Sequence, residues 1–141
     1  MGQNIVNATI TADTLATLAA SLIASRTLAD HEHRGDDRDI FDARINALET
    51  EASFYEAGTP IGALYQLCVA RANLDRIAGT YIGAMDSEGS ALTNLVERIL
   101  ISQIRFVENT SGITREEAGF DFYSDNQYDS RPFGEWRPSA I

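Results

Sequence analysis

The chain has 141 residues, of which 44% are hydrophobic and 23% charged, and this composition fits one globular domain and excludes wholesale disorder or a fibrous repeat. Its 11 basic residues, all of them arginine, stand against 21 acidic ones, and the formal net charge is -10. Because the arginines are spread along the chain, this charge disfavours direct binding to nucleic acid or to an anionic membrane and favours a basic protein partner.

A first helix is predicted over residues 12–34. Thr11 is a typical N-cap residue, and apolar side chains follow it at steps of three and four. His31 and His33 would form a cation-rich last turn. Gly35 is expected to close the helix, because glycine adopts the left-handed conformation of this position at little cost.

A second helix follows, with an acidic first turn and apolar residues spaced by four and three between Phe41 and Tyr55. Gly58 is expected to end it. Thr59 and Pro60 then predict the start of a third helix, because a capping threonine followed by proline is typical of the first helical position.

The third helix is expected to extend to about residue 85. Gly79 and Gly83 lie four residues apart in it. Each glycine lowers helix stability by about 1 kcal/mol relative to alanine unless it serves a contact. The pair therefore predicts that another helix, most simply one of the same chain, approaches closely on this side.

The fourth helix is expected to begin near Ser90 and to end before Gly112. It carries more apolar residues than one stripe can hold, which predicts burial on more than one side. Short links between helices of comparable length favour antiparallel neighbours. We predict an all-α fold, an antiparallel up-down-up-down four-helix bundle over residues 1–112. Its predicted core comprises Leu18, Leu22, Phe41, Ile45, Leu48, Leu67, Leu74, Ile77, Leu95 and Ile99.

Residues 113–141 are predicted to form a short capped turn and an irregular tail. Thr114 and Glu117 have the spacing of a capping box, with a turn expected to end at Gly119. The tail beyond is rich in aromatic residues, which disordered segments usually lack. It is expected to pack on the bundle or on a second chain. Its candidate interaction residues are Phe120, Phe122, Tyr123, Tyr128, Phe133 and Trp136.

The residues most able to bind a metal are Asp30, His31, His33 and Asp36. Two histidines separated by one residue point roughly 200° apart on a helix and cannot chelate one ion there. We therefore expect no metal site and no cofactor. The weaker alternative is a helical metal-dependent enzyme or nuclease that uses the cluster over residues 30–33.

No catalytic triad, phosphate-binding loop or cofactor motif stands out, so we lean against an enzyme. Cys68 is the one cysteine, and the N-terminus lacks a secretory pattern, which favours a cytoplasmic protein that spans no membrane. We expect a non-enzymatic interaction module that self-associates, most simply as a homodimer. The alternative is an acidic inhibitor that imitates phosphate charge and binds the basic surface of a nucleic-acid-binding protein.

Overall fold

The computed structural model describes residues 11–80 and 86–124, and these ranges contain helices and no strand. The all-α class predicted from the sequence is therefore confirmed. No helix within the described ranges combines the length and the apolarity that crossing a bilayer requires. The elements are α1 (Ala12–His31), α2 (Gly35–Ala52), α3 (Pro60–Thr80), α4 (Ser87–Ser111) and a short 3₁₀ turn (Asp121–Tyr123).

The chain divides into two compact units, Met1–Gln66 and Leu67–Ile141. The boundary falls inside α3, whereas the sequence placed its one division at Gly112. The described residues that follow Gly112 belong to the same unit as α4.

In the first unit, α1 and α2 form an antiparallel hairpin. Near the start of α1 the amide of Ala12 donates to the carbonyl of Glu56, beyond the end of α2 (3.4 Å). Late in α1 the Nε of Arg26 donates to Oδ1 of Asp42, early in α2 (2.8 Å). These pairs occur in opposite order along the two helices, so α1 and α2 run in opposite directions.

The carboxylate of Asp13 holds the start of α3. Its Oδ2 accepts a hydrogen bond from the amide of Gly58, and its Oδ1 accepts from the amide of Thr59, each over 3.0 Å. The hydroxyl of Thr59 also donates to Oδ1 and accepts from the amide of Gly62 (3.4 Å). Thr59 therefore caps α3, and Pro60 is its first residue, as the sequence predicted.

Helix α2 ends at Ala52, well before the predicted stop at Gly58. The side-chain Nε2 of Gln66 on α3 donates to the carbonyl of Ala52 (3.0 Å) and to that of Tyr55 (2.6 Å). A side chain from another helix thus satisfies carbonyl groups at the end of α2. The residues of α2 themselves carry no signal for this contact, so the sequence did not predict where α2 ends.

The predicted core is only partly correct. Ile45 is buried, as predicted, and Leu22, Phe41, Leu48, Leu67 and Leu74 are half-buried. For four residues the predicted burial is wrong, because their exposed fractions lie between 44% and 54%: Leu18, Ile77, Leu95 and Ile99.

The buried residues of α1 are mostly alanines, which explains why the prediction wrongly placed Leu18 in the core. The face of α1 that packs inside the unit consists mainly of small side chains, which let neighbouring backbones approach closely, whereas the prediction followed the larger leucines. The buried residues of α1 are Ala12, Leu15, Ala16, Ala19, Ile23 and Ala29.

The two glycines of α3 that the structure describes have different surroundings. A Cβ on Gly62 would overlap the Asp13 carboxylate and lie 3.1 Å from the Asp13 backbone nitrogen. A Cβ on Gly79 would meet nothing within 4 Å, so the prediction that a helix of the same chain approaches closely at this position is wrong, while approach by a helix of a second copy stays a prediction. Gly83 lies outside the described residues.

We expect Gly62→Ala and Gly79→Ala to change stability in opposite directions. Gly62→Ala should lower the free energy of unfolding by roughly 1–3 kcal/mol, the usual cost of overpacking. Gly79→Ala, the matched control on the same helix, should raise it by up to about 1 kcal/mol, because alanine is the better helix former. Urea unfolding followed by circular dichroism measures both, and equal effects would contradict the Asp13 contact.

The Asp13 carboxylate should also make stability depend on pH. Its hydrogen bond with the Thr59 hydroxyl lowers its pKa, while burial acts in the opposite direction and the amides of Gly58 and Thr59 lower the pKa further. A lowered pKa stabilises the fold above the ordinary carboxyl pKa, and this contribution is lost as pH falls through the lower value.

We therefore expect Asp13→Ala to lower the free energy of unfolding by about 1–2 kcal/mol at neutral pH, in the range of a lost helix cap. The difference between the variant and the wild type should shrink in acid, where the wild-type carboxyl is protonated. Urea unfolding in neutral and in acidic buffer tests this. A difference that stays constant with pH would show that the carboxylate charge has no part in it.

Candidate interaction surface

Helix α4 is a continuous helix of 25 residues, and both of its ends are capped. At the start, Oδ1 of Asp86 accepts from the amide of Gly89 (2.7 Å). At the end, Gly112 adopts φ 74°, and its amide donates to the carbonyl of Glu108 (2.9 Å). Gly112 therefore ends α4 as predicted, whereas α4 begins at Ser87, three residues before the predicted Ser90.

One side of α4 is buried in the second unit. Glu97, Ile101 and Ile104 lie on it at steps of four and three, and each is less than a tenth exposed. Among the residues of this unit that the structure describes, the other buried apolar ones are Cys68 on α3 and Phe120 and Tyr123 beyond α4. One face of α4 thus contributes to a core that also holds a carboxyl group.

The opposite side of α4 carries a second set of large apolar residues, which we call the α4 face. It lies roughly 160° around the helix axis from the buried side, at 3.6 residues per turn. Leu92, Ile99 and Phe106 are seven residues apart, and Leu95 and Val96 lie between the first two. Their exposed fractions run from 42% for Val96 to 64% for Phe106. The predicted surplus of apolar residues on this helix is therefore a second face, and it is exposed.

Charge also sets the α4 face apart from the rest of this acidic chain. Between Ser90 and Val107 the one carboxylate is Glu97, which lies on the buried side. The other charged residues of this stretch are Arg98 and Arg105. The exposed surface of α4 over this range therefore carries no negative side chain, in a chain of net charge -10.

The predicted capping box positions the turn after α4. The amide of Glu117 donates to Oγ1 of Thr114 (3.2 Å), and the amide of Thr114 donates to Oε2 of Glu117 (3.5 Å). Gly119 follows with φ 83°. The capping box and its end at Gly119 are thus confirmed.

Three of the predicted tail anchors are described, and they differ in exposure. Phe120 and Tyr123 are buried within the second unit, with ring centroids 6.5 Å apart in an edge-to-face arrangement. Phe122 contacts the Tyr123 ring at 5.1 Å and is 42% exposed. Phe120 and Tyr123 therefore pack on their own unit, and Phe122 alone of the three presents a surface. The remaining three, Tyr128, Phe133 and Trp136, lie outside the described residues.

A buried arginine connects α3 with α4 and with the 3₁₀ turn. Arg71 is 2% exposed, and its Nη1 donates to the carbonyl of Tyr123 (3.0 Å). Its Nε lies 3.8 Å from Oε1 of Glu97. Burial raises the pKa of the Glu97 carboxyl to about 7, and the Asp75 carboxyl raises it by charge and by a hydrogen bond, while Arg71 lowers it. No sequence pattern marked this cluster, because Arg71 occupies a core position of α3.

The predicted metal candidates lie at the corner between α1 and α2, where they do not converge. The described residues contain no group of three or more His, Cys, Asp or Glu side chains that could hold a metal ion. Instead, Arg38 binds Asp30 (3.1 Å), and Arg34 binds Glu32 and Asp37 (2.8 Å each). The remaining candidates, His31, His33 and Asp36, are exposed.

His33, and not Gly35, ends α1. His33 adopts φ 59°, and its amide donates to the carbonyl of Asp30 (3.1 Å). The amide of Arg34 donates to the carbonyl of Ala29 (2.8 Å), which completes a Schellman motif. Gly35 is instead the first residue of α2, so its predicted role as the helix stop is wrong.

Comparison of the chain with protein-family models, with curated proteins and with solved structures finds no match. Sequence patterns indicated that α4 has two apolar sides but placed Leu95 and Ile99 in the core. No sequence signal separates the two sides, because Glu97, the one acidic residue within that stretch of α4, lies on the buried side although acidic residues usually face solvent.

We expect His33→Gly to raise the free energy of unfolding by roughly 0.5–1 kcal/mol, because glycine removes the cost of a left-handed residue with a Cβ but adds freedom to the unfolded chain. His33→Ala is the control, since it removes the imidazole and keeps the Cβ, and it should not stabilise. Gly35→Ala should be tolerated, because a Cβ there meets nothing within 4 Å. If Gly35→Ala and His33→Gly both lowered the free energy of unfolding, Gly35 and not His33 would be the residue that ends α1.

Proposed function

We propose that this protein is a protein–protein interaction module that self-associates through the α4 face. The observation that supports the proposal is the set of five large apolar side chains exposed on one side of α4, opposite its buried side. Exposed apolar patches of this kind are typical of protein interaction sites. Heptad spacing of Leu92, Ile99 and Phe106 is the pattern by which two helices pack side by side.

The charge distribution favours a second copy as the occupant. Two chains of net charge -10 repel each other, and they can meet at least cost where neither presents a carboxylate. The α4 face meets this condition from Ser90 to Val107. In a two-fold antiparallel pair centred on Ile99, Phe106 of one copy lies opposite Leu92 of the other, so one patch serves both copies.

The size of the face indicates a reversible complex. Burying the exposed half of one such side chain contributes about 1 kcal/mol, so two copies together contribute about 10 kcal/mol. Association costs about 4–15 kcal/mol in lost translational and rotational freedom. At the lower end of that cost about 6 kcal/mol remains, which corresponds to a Kd of tens of micromolar, so we expect a weak dimer that dissociates on dilution from several hundred to a few micromolar.

The alternative function, an acidic inhibitor of a nucleic-acid-binding protein, is favoured by the net charge alone. At the corner between α1 and α2, however, Arg34 and Arg38 pair with the neighbouring carboxylates, which gives a surface of mixed sign. Salt separates the two proposals. Salt should strengthen or spare an apolar dimer of like-charged chains, whereas it should weaken a complex between an acidic surface and a basic partner.

A cytoplasmic location belongs to the same proposal. Cys68, the single cysteine, is a buried thiol with no other cysteine to pair with, and such a chain does not need an oxidising compartment.

We expect Ile99→Asp to make the protein monomeric, because it puts a charge at the centre of the α4 face. Ile40→Asp is the matched control, since Ile40 on α2 is 52% exposed and Ile99 is 54% exposed. Analytical ultracentrifugation of both variants and the wild type over a micromolar dilution series measures the effect. Circular dichroism verifies that each variant is folded.

The expected result is a concentration-dependent dimer for the wild type and for Ile40→Asp, and a monomer for Ile99→Asp. A wild-type protein that is monomeric throughout the series would overturn the proposal. The same holds if both variants weaken the dimer equally. Amide protection of α4 in such a monomer would point to cover by the same chain instead.

A further inference from the structure

The chain that follows α4 returns to the middle of this helix. Nη1 of Arg71 donates to the carbonyl of Tyr123 (3.0 Å), and Nε of the same guanidinium lies 3.8 Å from Oε1 of Glu97. Glu97 is two positions before Ile99, the central residue of the α4 face. Ser124, the last described residue, directly follows Tyr123. The rest of the chain therefore begins at a fixed point near the middle of α4.

Residues 125–141, which lie outside the described ranges, are long enough to reach the α4 face. We call them the cover segment. These 17 residues span up to about 56 Å when extended, at about 3.3 Å per residue. Half the circumference of a helix about 10 Å across is about 16 Å. About five residues therefore suffice to pass from the buried side of α4 to its opposite side.

The cover segment carries aromatic residues at a spacing that suits the α4 face. Tyr128, Phe133 and Trp136 are five and three residues apart. In an extended chain the first two lie up to about 17 Å apart, and the last two up to about 10 Å. The three heptad residues of the α4 face follow one another at about 10.5 Å along the helix axis. Three aromatic side chains can thus meet three apolar positions, and aromatic anchors are typical of interaction surfaces.

Charge favours the first part of the cover segment next to α4. Residues 125–130 include two carboxylates, Asp125 and Asp129, and no cation. Arg98 and Arg105 lie on one flank of the α4 face, roughly 100° to 120° around the axis from its centre. The surface between them and the apolar side chains carries no carboxylate. Opposite charges therefore favour this part of the segment beside this flank.

We propose that the cover segment docks on the α4 face of its own chain and competes with a second copy for this face. Because the segment is tethered at Tyr123, its effective concentration at its own face is about millimolar. A second copy at micromolar concentration has no such advantage. The docking itself needs no dimer, whereas its regulatory effect rests on the proposed function of the α4 face.

The expected size of the effect follows from the fraction of open faces. Two copies pair only when both α4 faces are open. A segment docked in about half of the molecules leaves about a quarter of the pairs able to form, which weakens the dimer about fourfold.

Trp136 reports the docking directly, because it is the one tryptophan of the chain. At about 1 µM, below the Kd expected for the dimer, its emission should be shifted to the blue in the wild type. Ile99→Asp should move the emission to the red, toward that of a solvated indole, and Ile40→Asp should not. Circular dichroism verifies that both variants are folded. Equal emission in the two variants would overturn docking on the α4 face.

Analytical ultracentrifugation tests the competition in the full-length chain. The triple variant Tyr128→Ser, Phe133→Ser and Trp136→Ser should dimerise about fourfold more tightly than the wild type. The control Asn126→Ser with Gln127→Ser changes the same segment without its aromatic residues and should leave the Kd unchanged.

The two proposals fail in different ways. An unchanged or weaker dimer in the triple variant would overturn the competition and leave self-association standing. A triple variant that is monomeric at several hundred micromolar, with the Trp136 shift of Ile99→Asp retained in the otherwise unaltered chain, would overturn self-association and support the docking.

Discussion

The burial of the Arg71 guanidinium constrains much of the second unit. A charged group that is 2% exposed needs compensating partners, because unpaired burial of a charge is far more costly than any single apolar contact is favourable. Glu97 supplies the opposite charge from α4, and the carbonyl of Tyr123 supplies a hydrogen-bond acceptor. Pairing with Glu97 fixes the rotation of α4 about its own axis. That rotation turns the side with Leu92, Ile99 and Phe106 outward, so a polar interaction inside the unit determines which apolar side is left for a partner.

Features that depend on a few neighbouring residues could be predicted from the sequence. Thr11 caps α1, Pro60 begins α3, Gly112 ends α4, and the Thr114–Glu117 capping box forms, because each needs only the local backbone and one side chain. The end of α2 could not be predicted in this way, since it depends on the side chain of Gln66 from another helix. His33 was also missed, because a left-handed residue is usually glycine and Gly35 lay two positions away.

The rotation of each helix was harder to predict than its limits. Hydrophobicity alone ranks Leu18 above Ala19, yet Ala19 is buried and Leu18 is half exposed. On α4 the sequence indicated two apolar sides and could not say which one faces the unit. That choice depends on Arg71, whose burial contradicts the usual preference of arginine for the surface. The sequence therefore predicted that α4 carries more apolar residues than one side can hold. Which of these residues are exposed became clear only from the pairing of Arg71 with Glu97 in the structure.

The contact between Asp13 and the start of α3 has a kinetic consequence. Its partners, Asp13 and Thr59, are separated by 46 positions along the chain, so the contact forms only after the α1–α2 hairpin has brought the two ends together. Closing a loop of that length precedes any gain from the hydrogen bonds it permits, which raises the effective contact order of an otherwise locally connected helical protein. The first turn of α3 thus gains its full set of hydrogen bonds only when the hairpin before it has folded, which gives the two elements an order of assembly.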